Sequence, residues 1–162
     1  MRLFLSWMFL ISALMFQTTA DAKAITQGSR VKIDYILSIN SQPVESTQNK
    51  GPLEFVVGSG AVIPGLENQL IGMSVGDQKK VIVDPKDAYG PVDPGAFKEF
   101  PRSAMPQDAE LKPGVVVEAE DPKGGTFPGV VWEVKDQSVV LNFNHPLAGQ
   151  ILEFDVRVAD IQ

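Results

Sequence analysis

The hydrophobic pattern of the chain is dominated by the two-residue period of β-strands. Between Val31 and Ile39, apolar side chains occupy every second position, as in a strand with one buried face. Shorter runs that predict further strands cover 44–47, 53–57, 79–83 and 152–158, and turn residues separate them, with the first turn predicted at 40–43. The pattern therefore predicts a mainly β protein.

One segment, 58–77, departs from this period and predicts a short helix. Leu66, Leu70 and Ile71 recur at helical spacing, which would point one helix face inward. Gly72 follows where a left-handed C-terminal cap would lie. The approach to the helix, 62–65, is apolar where loops are usually polar. These side chains are expected either to lie under another element or to line a pocket.

The first 24 residues have the pattern of a secretory signal peptide. A positive charge at Arg2 precedes an apolar run of about 14 residues, shorter than the ~20 that a membrane-spanning helix needs. Small residues then favour cleavage after Ala24, with Ala22 as the second choice. An uncleaved membrane anchor is the alternative that this pattern disfavours. We therefore expect a bacterial periplasmic or secreted protein with no membrane anchor after cleavage.

Composition narrows the possible functions. The chain carries 14 basic and 20 acidic residues, a formal net charge of −6, which argues against nucleic-acid binding through phosphates. It contains no cysteine, so neither a disulfide framework nor a lipoprotein attachment site is expected.

Several short motifs occur together in order and spacing. They are Tyr35; the stretch from Gly58 to Glu67, which contains Val62-Ile63-Pro64-Gly65; the stretch from Met73 to Gly76; and Asp87-Ala88-Tyr89-Gly90. As an ensemble they resemble the FKBP family of peptidyl-prolyl cis-trans isomerases. The resemblance implies an α+β, mainly β fold in which an antiparallel sheet wraps on a short helix.

A long segment separates Gly90 from the terminal strand. Roughly 50 residues are too many for a structureless loop inside a compact domain, and strand patterns occur at 115–119, 128–134 and 138–143, with turns at 121–125 and 135–137. We predict a small inserted β domain in the flap, as in SlyD-type FKBPs, with the turn that begins at Asn144 also similar to theirs. The predicted domains are the leader at 1–24, a discontinuous isomerase domain at 25–95 and 144–162, and the insert at 96–143.

The chemistry implied by the resemblance requires no cofactor or metal. The peptide bond before proline rotates slowly because its partial double-bond character creates a barrier of roughly 18–20 kcal/mol. An apolar cup that removes water from the amide would weaken the resonance of the planar ground state. The sequence suits this mechanism, since it has one histidine, no cysteine and no credible nucleophile–base pair.

By resemblance, the catalytic residues would be Tyr89, Glu45 and Tyr35. The Tyr89 hydroxyl would donate to the carbonyl of the residue before proline, and the backbone amide of Ile63 would bind a second carbonyl. Glu45 departs from the aspartate usual in the family, keeping the charge but adding a methylene, so activity is expected to survive, with a reduced level as the alternative. The apolar cup, with Leu66 as its floor, would comprise Val44, Leu53, Val62, Ile63, Leu66, Leu147 and Phe154.

The insert implies a second function, chaperone-like capture of unfolded chains. The candidates for exposed apolar contacts are Phe97, Phe100, Met105, Phe127, Val130 and Trp132. The alternative is that these residues fill the core of the insert, and we expect some of each. Expected partners are unfolded or proline-containing polypeptides, and the protein is expected to be a monomer. A non-catalytic holdase on the same scaffold is the alternative function.

A metal-binding function is disfavoured. His145 is a lone imidazole before proline and is expected to be a turn residue that hydrogen-bonds locally. SlyD-type proteins often end in a histidine-rich tail that binds nickel, whereas this sequence stops at Gln162 without one. The resemblance therefore does not imply nickel binding for this sequence.

Overall fold

A computed structural model describes residues 23–105, 111–120 and 125–162. Residues 1–22 of the predicted signal peptide and 121–124 of a predicted turn lie outside these ranges. Within them, no helix is long and apolar enough to cross a membrane.

The first sheet is antiparallel and has five strands. They are β1 (Arg30–Ile39), β2 (Gln42–Ser46), β3 (Leu53–Val56), β4 (Gln78–Val83) and β9 (Leu152–Ile161). The order is β2-β1-β9-β4, with β3 also pairing with β1. This arrangement confirms the prediction of a mainly β fold, and it brings the C-terminal strand to the centre of the sheet.

The hairpin between β1 and β2 is tighter than predicted. The expected turn over 40–43 comprises only Asn40 and Ser41, which have φ angles of 50° and 62°. Two successive positive φ angles match the right-handed twist of the strands and close a two-residue loop. Pro43 consequently lies within β2, where an outer strand tolerates its missing N–H.

Within the described ranges, the one α-helix, α1 (Pro64–Leu70), packs against this sheet. Pro64 occupies its first turn, where the missing N–H costs nothing. Leu66 and Leu70 are buried as predicted, whereas the prediction for Ile71 is wrong because the helix ends at Leu70 and Ile71 is extended and exposed. Gly72 has a φ of 88°, consistent with the predicted left-handed turn.

The first core lies between α1 and one face of the sheet. Leu66 and Leu70 meet the inward-facing residues of β1, β4 and β9, which include Val31, Ile33, Leu37, Val81, Val83, Leu152, Phe154, Val156 and Val158. Gly65 permits this close packing, since a Cβ there would lie 2.3 Å from Val83 Cγ1. The core thus holds the start of α1 against the sheet.

The chain between β4 and β9 forms a second antiparallel sheet. Its strands are β5 (Phe97–Pro101), β6 (Val116–Glu120), β7 (Thr126–Val134) and β8 (Ser138–Asn142), in the order β5-β8-β7-β6. Three 3-10 helices, Pro85–Asp87, Pro94–Ala96 and Arg102–Ala104, precede or follow β5. The sheet has its own core of Met105, Val117, Val131, Val139 and Leu141. All of these residues lie within the predicted insert.

Candidate functional site

A cavity of about 440 Å³ opens where the loop before α1 meets the first sheet. Buried Leu66 and Phe154 lie on its walls together with half-buried Val62 and Ile63. The other lining residues are Tyr35, Leu37, Glu45, Leu53, Gly60, Ala61, Pro64, Ala88 and Tyr89. A concave, mostly apolar site with a few polar groups is typical of a small ligand pocket.

The loop that forms one wall is shaped by glycine and pinned to the helix. Gly58 and Gly60 have φ angles of 90° and 73°, a region that favours glycine. The Glu67 carboxylate on α1 accepts a hydrogen bond from the Gly58 N–H. Ile63 accepts hydrogen bonds through its carbonyl from the N–H groups of Leu66 and Glu67, both at 3.1 Å. Ile63 is therefore held at the start of the helix.

Tyr35 and Glu45 form one polar side of the cavity. Burial raises the pKa of Tyr35 to about 12, with further contributions from the charge of Glu45 and from the hydrogen bond between these two side chains. Lys50 Nζ lies 3.8 Å from the Glu45 carboxylate. The longer side chain of Glu45, the departure from the family pattern, therefore still reaches the phenol.

The backbone of Tyr35 is fixed by Thr47. Its N–H donates to Thr47 Oγ1 at 2.9 Å, and the Thr47 N–H donates to its carbonyl at 3.1 Å. Its ring also meets Phe154 edge to face, with centroids 5.8 Å apart. These contacts hold the phenol against the cavity wall.

Tyr89 supplies the second phenol. It follows the 3-10 helix Pro85–Asp87 and remains 41% exposed. Its ring stacks on His145 with centroids 3.7 Å apart and an angle of 3° between the planes. This stack was not predicted. The predicted local hydrogen bond of His145 is present, since its Nδ1 accepts the N–H of Leu147 at 3.1 Å.

The structure brings together all but two of the residues predicted for the cup. Val44 is exposed and does not line the cavity, because adjacent residues of a strand face opposite sides and Glu45 faces inward. Leu147 is half-buried against the first core and likewise does not line the cavity.

The prediction omitted Leu37, Gly60, Ala61, Pro64 and Ala88. Leu37 shares the inward face of β1 with Tyr35, so strand alternation could have identified it. Ala61, Pro64 and Ala88 adjoin residues that were named, and Gly60 lies two residues before Val62.

A larger groove of about 780 Å³ also lies on the first sheet, and Tyr35 contributes to the lining of both. Its lining includes the charged residues Asp34, Lys80 and Arg157 beside apolar ones. The ion pairs Lys80–Glu153 and Arg157–Asp34, at 3.0 Å and 4.0 Å, engage two of its three cations. The smaller apolar cavity is therefore the better candidate for a site that removes water from an amide.

The second sheet buries some of the predicted contact residues and exposes others. The prediction of Met105 as an exposed contact is wrong, because this small sheet needs it for its own core. Phe100 is half-buried and packs on that core, and Val130 is also half-buried. Phe127 and Trp132 are exposed, and Trp132 meets Phe97 edge to face at 5.3 Å.

The ligating residues needed for a metal are not grouped in the part of the chain that is described. Among these residues, no set of three or more histidine, aspartate or glutamate side chains could hold an ion.

Comparison with known proteins identifies the family. Residues 21–119 match the family described as FKBP-type peptidyl-prolyl cis-trans isomerase. The chain is 37% identical over 139 residues to a probable FKBP-type 16 kDa peptidyl-prolyl cis-trans isomerase of Pseudomonas fluorescens, covering 85% of this chain and 92% of that protein. The FKBP-type 16 kDa enzyme of Escherichia coli K12 is 32% identical over 142 residues, with 86% and 95% covered.

A SlyD protein is also similar. The FKBP-type isomerase SlyD of Helicobacter pylori J99 is 28% identical over 138 residues, which cover 85% of this chain and 74% of that protein. The chain belongs to the FKBP family of peptidyl-prolyl cis-trans isomerases, and it is an isomerase enzyme.

Proposed function

We propose that the cavity beside α1 is the active site and that it accelerates rotation of the X-Pro bond by removing water from the amide. The observation that carries this proposal is the combination of apolar walls, Leu66 and Phe154 among them, with two phenols in the same lining. An X-Pro segment bound there would exchange water for apolar contact around its carbonyl. Water stabilises the charge-separated planar amide, so its removal lowers the barrier to rotation.

The two phenols have different roles in this proposal. Burial and, after it, the charge and hydrogen bond of Glu45 hold the Tyr35 pKa high, so the Tyr35 hydroxyl is already engaged. Tyr89 is then the phenol that donates to the carbonyl of the residue before proline. The Ile63 N–H at the start of α1 binds a second substrate carbonyl, as N–H groups of a first helical turn can.

The second sheet captures unfolded chains and delivers them to the cavity. Exposed Phe127 and Trp132 provide apolar and aromatic contact area of the kind used for binding polypeptides. We assign this capture to the inserted segment 96–143. Holding a client near the cavity raises the effective concentration of its prolines without any new contact at the site.

The clients are secreted or periplasmic proteins, and the enzyme acts as a monomer. The composition of the first 24 residues supports export, with cleavage after Ala24 or Ala22. Fractionation of cells and sequencing of the mature N-terminus test this part of the proposal, and retention of the leader in a cytoplasmic product would contradict it.

The test of the proposed isomerase and capture functions together compares two substrates. We would measure isomerisation of a short X-Pro peptide and of a proline-limited refolding protein, with the mature chain and a variant carrying Phe127→Ser and Trp132→Ser. The control is Ile82→Ser on β4 of the first sheet. Ile82 is 63% exposed and Trp132 is 59% exposed, so the two substitutions remove similarly exposed apolar side chains from different sheets. Only the double variant should slow refolding catalysis, and peptide turnover should stay unchanged.

Other outcomes identify which part fails. If the double variant and the Ile82 control lost refolding catalysis equally, the second sheet would have no specific part in capture. Binding of unfolded protein without acceleration of either substrate would favour the non-catalytic holdase.

A further inference from the structure

The loop that returns from the second sheet carries the aromatic partner of Tyr89. His145 lies in this loop, outside the residues that line the cavity. Its imidazole is nearly parallel to the phenol, at 3° and a centroid distance of 3.7 Å. His145 therefore contacts the face of the ring whose hydroxyl is proposed to bind substrate.

The imidazole is itself held in one orientation. Its Nδ1 accepts the Leu147 N–H at 3.1 Å, and its backbone carbonyl accepts the Ala148 N–H at 2.9 Å. An accepting Nδ1 carries no proton, so the neutral ring has its proton on Nε2. The turn thus fixes the plane against which Tyr89 stacks.

The same loop is tied to the residues that follow Tyr89. The Gly149 N–H donates to the Gly90 carbonyl at 2.8 Å. The Asn144 side chain accepts from the Asp93 N–H at 2.8 Å and donates to the Asp93 carbonyl at 3.1 Å. These bonds fix the position of His145 relative to Tyr89, even though Tyr89 is only partly buried.

We propose that His145 is a positioning residue for the isomerase, acting through the ring of Tyr89 without touching substrate. A partly exposed tyrosine has several staggered rotamers available, and only some direct its hydroxyl into the cavity. The parallel imidazole selects one of them before substrate binds, which lowers the entropic cost of placing the donor. This inference rests on the donor role proposed for Tyr89.

The experiment separates the ring of His145 from its turn hydrogen bond. His145→Phe keeps a ring that can stack but has no acceptor for the Leu147 N–H. His145→Asn keeps an acceptor near the position of Nδ1 but has no ring. On a short X-Pro peptide, His145→Asn should lower kcat/KM by about threefold to tenfold, as expected for the loss of one aromatic pair, and His145→Phe should lose less. The reverse ranking would overturn the inference.

A double-mutant cycle excludes a purely structural effect. In a Tyr89→Phe background the hydroxyl is gone, so His145→Asn should then cost little further activity. An equal fold-loss in both backgrounds would show that His145 acts on the fold and would overturn the inference alone. If Tyr89→Phe by itself left kcat/KM unchanged, the donor role of Tyr89 would fall, and the inference with it.

Discussion

The two sheets use the same strand alternation but bury their apolar residues to different extents. In the first sheet, α1 covers one face, and Ile33, Leu70 and Leu152 are fully buried. The second sheet fills a smaller core from its own strands and from Met105, while Phe127 and Trp132 remain exposed. The covered sheet forms one wall of a cavity, and the less covered sheet leaves aromatic side chains on the surface for the capture that we propose.

The comparison also separates the two proposed activities. Turnover of a short peptide depends on the first core, because this core holds α1 and the walls of the cavity. Capture depends on the second sheet, none of whose described residues lines that cavity. Variants in one region should therefore affect one readout more than the other.

The largest effect is expected for Leu70→Ala. Leu70 is fully buried between α1 and the sheet, and such truncations cost about 2–5 kcal/mol through lost transfer energy and a residual cavity. Denaturant unfolding should show this loss of stability, with reduced peptide turnover as α1 loosens. A loss below ~1 kcal/mol would mean that the site collapses around the smaller side chain.

The matched change in the second core is Leu141→Ala. Leu141 is also fully buried, so the local loss should again be about 2–5 kcal/mol. We expect weaker capture of unfolded protein and nearly normal peptide turnover. Equal loss of both activities would show that the cavity depends on the second sheet.

A smaller effect is expected for Gly65→Ala. The added Cβ would lie 2.3 Å from Val83 Cγ1 and 3.0 Å from the Asp87 carbonyl oxygen, and overpacking of this kind typically costs about 1–3 kcal/mol. The start of α1 must shift, so peptide turnover should fall as well. Gly95→Ala is the control, since its contacts are with the Asp93 side chain, the nearest at 3.2 Å. Equal effects at both positions would contradict the packing argument.

The sequence predicted most of this fold because its strongest signals are local. Alternation identified β1, and glycine punctuation with helical spacing identified α1. The hairpin turn was placed too wide because the side-chain pattern does not reveal that Asn40 and Ser41 alone adopt positive φ angles. Ile71 was misplaced because the last periodic residue looks helical whether or not the helix has ended.

The candidate site was predicted by resemblance better than by pattern. Val44 was wrongly included because resemblance supplies a position but not the side of β2 that it faces. The stack of His145 on Tyr89 joins residues far apart in the chain, and local periodicity carries no information about such a contact. The burial of Met105 likewise depends on how the second sheet closes.

The smallest effect is expected for Tyr35 and Glu45, which line the cavity from β1 and β2. The Tyr35 pKa is about 12 in the folded protein against an ordinary value of 10.0. The proton is therefore held more tightly in the folded state, and this stabilisation is fully present below about pH 10 and lost as pH rises through about 12. Glu45→Gln removes a negative charge beside the phenol, so the pKa of Tyr35 should fall. The pH range over which this stabilisation is lost should then become narrower.

Phenolate absorbance measures this pKa directly. The chain has two tyrosines, so a Tyr89→Phe background isolates the titration of Tyr35. Glu133→Gln, on the second sheet, makes the same change of charge away from the cavity and should leave the Tyr35 midpoint where it is. Because burial is the largest cause of the raised pKa, Glu45→Gln should return it only part of the way. A midpoint that did not move would show that burial alone holds the proton and that Glu45 does not engage this phenol in solution.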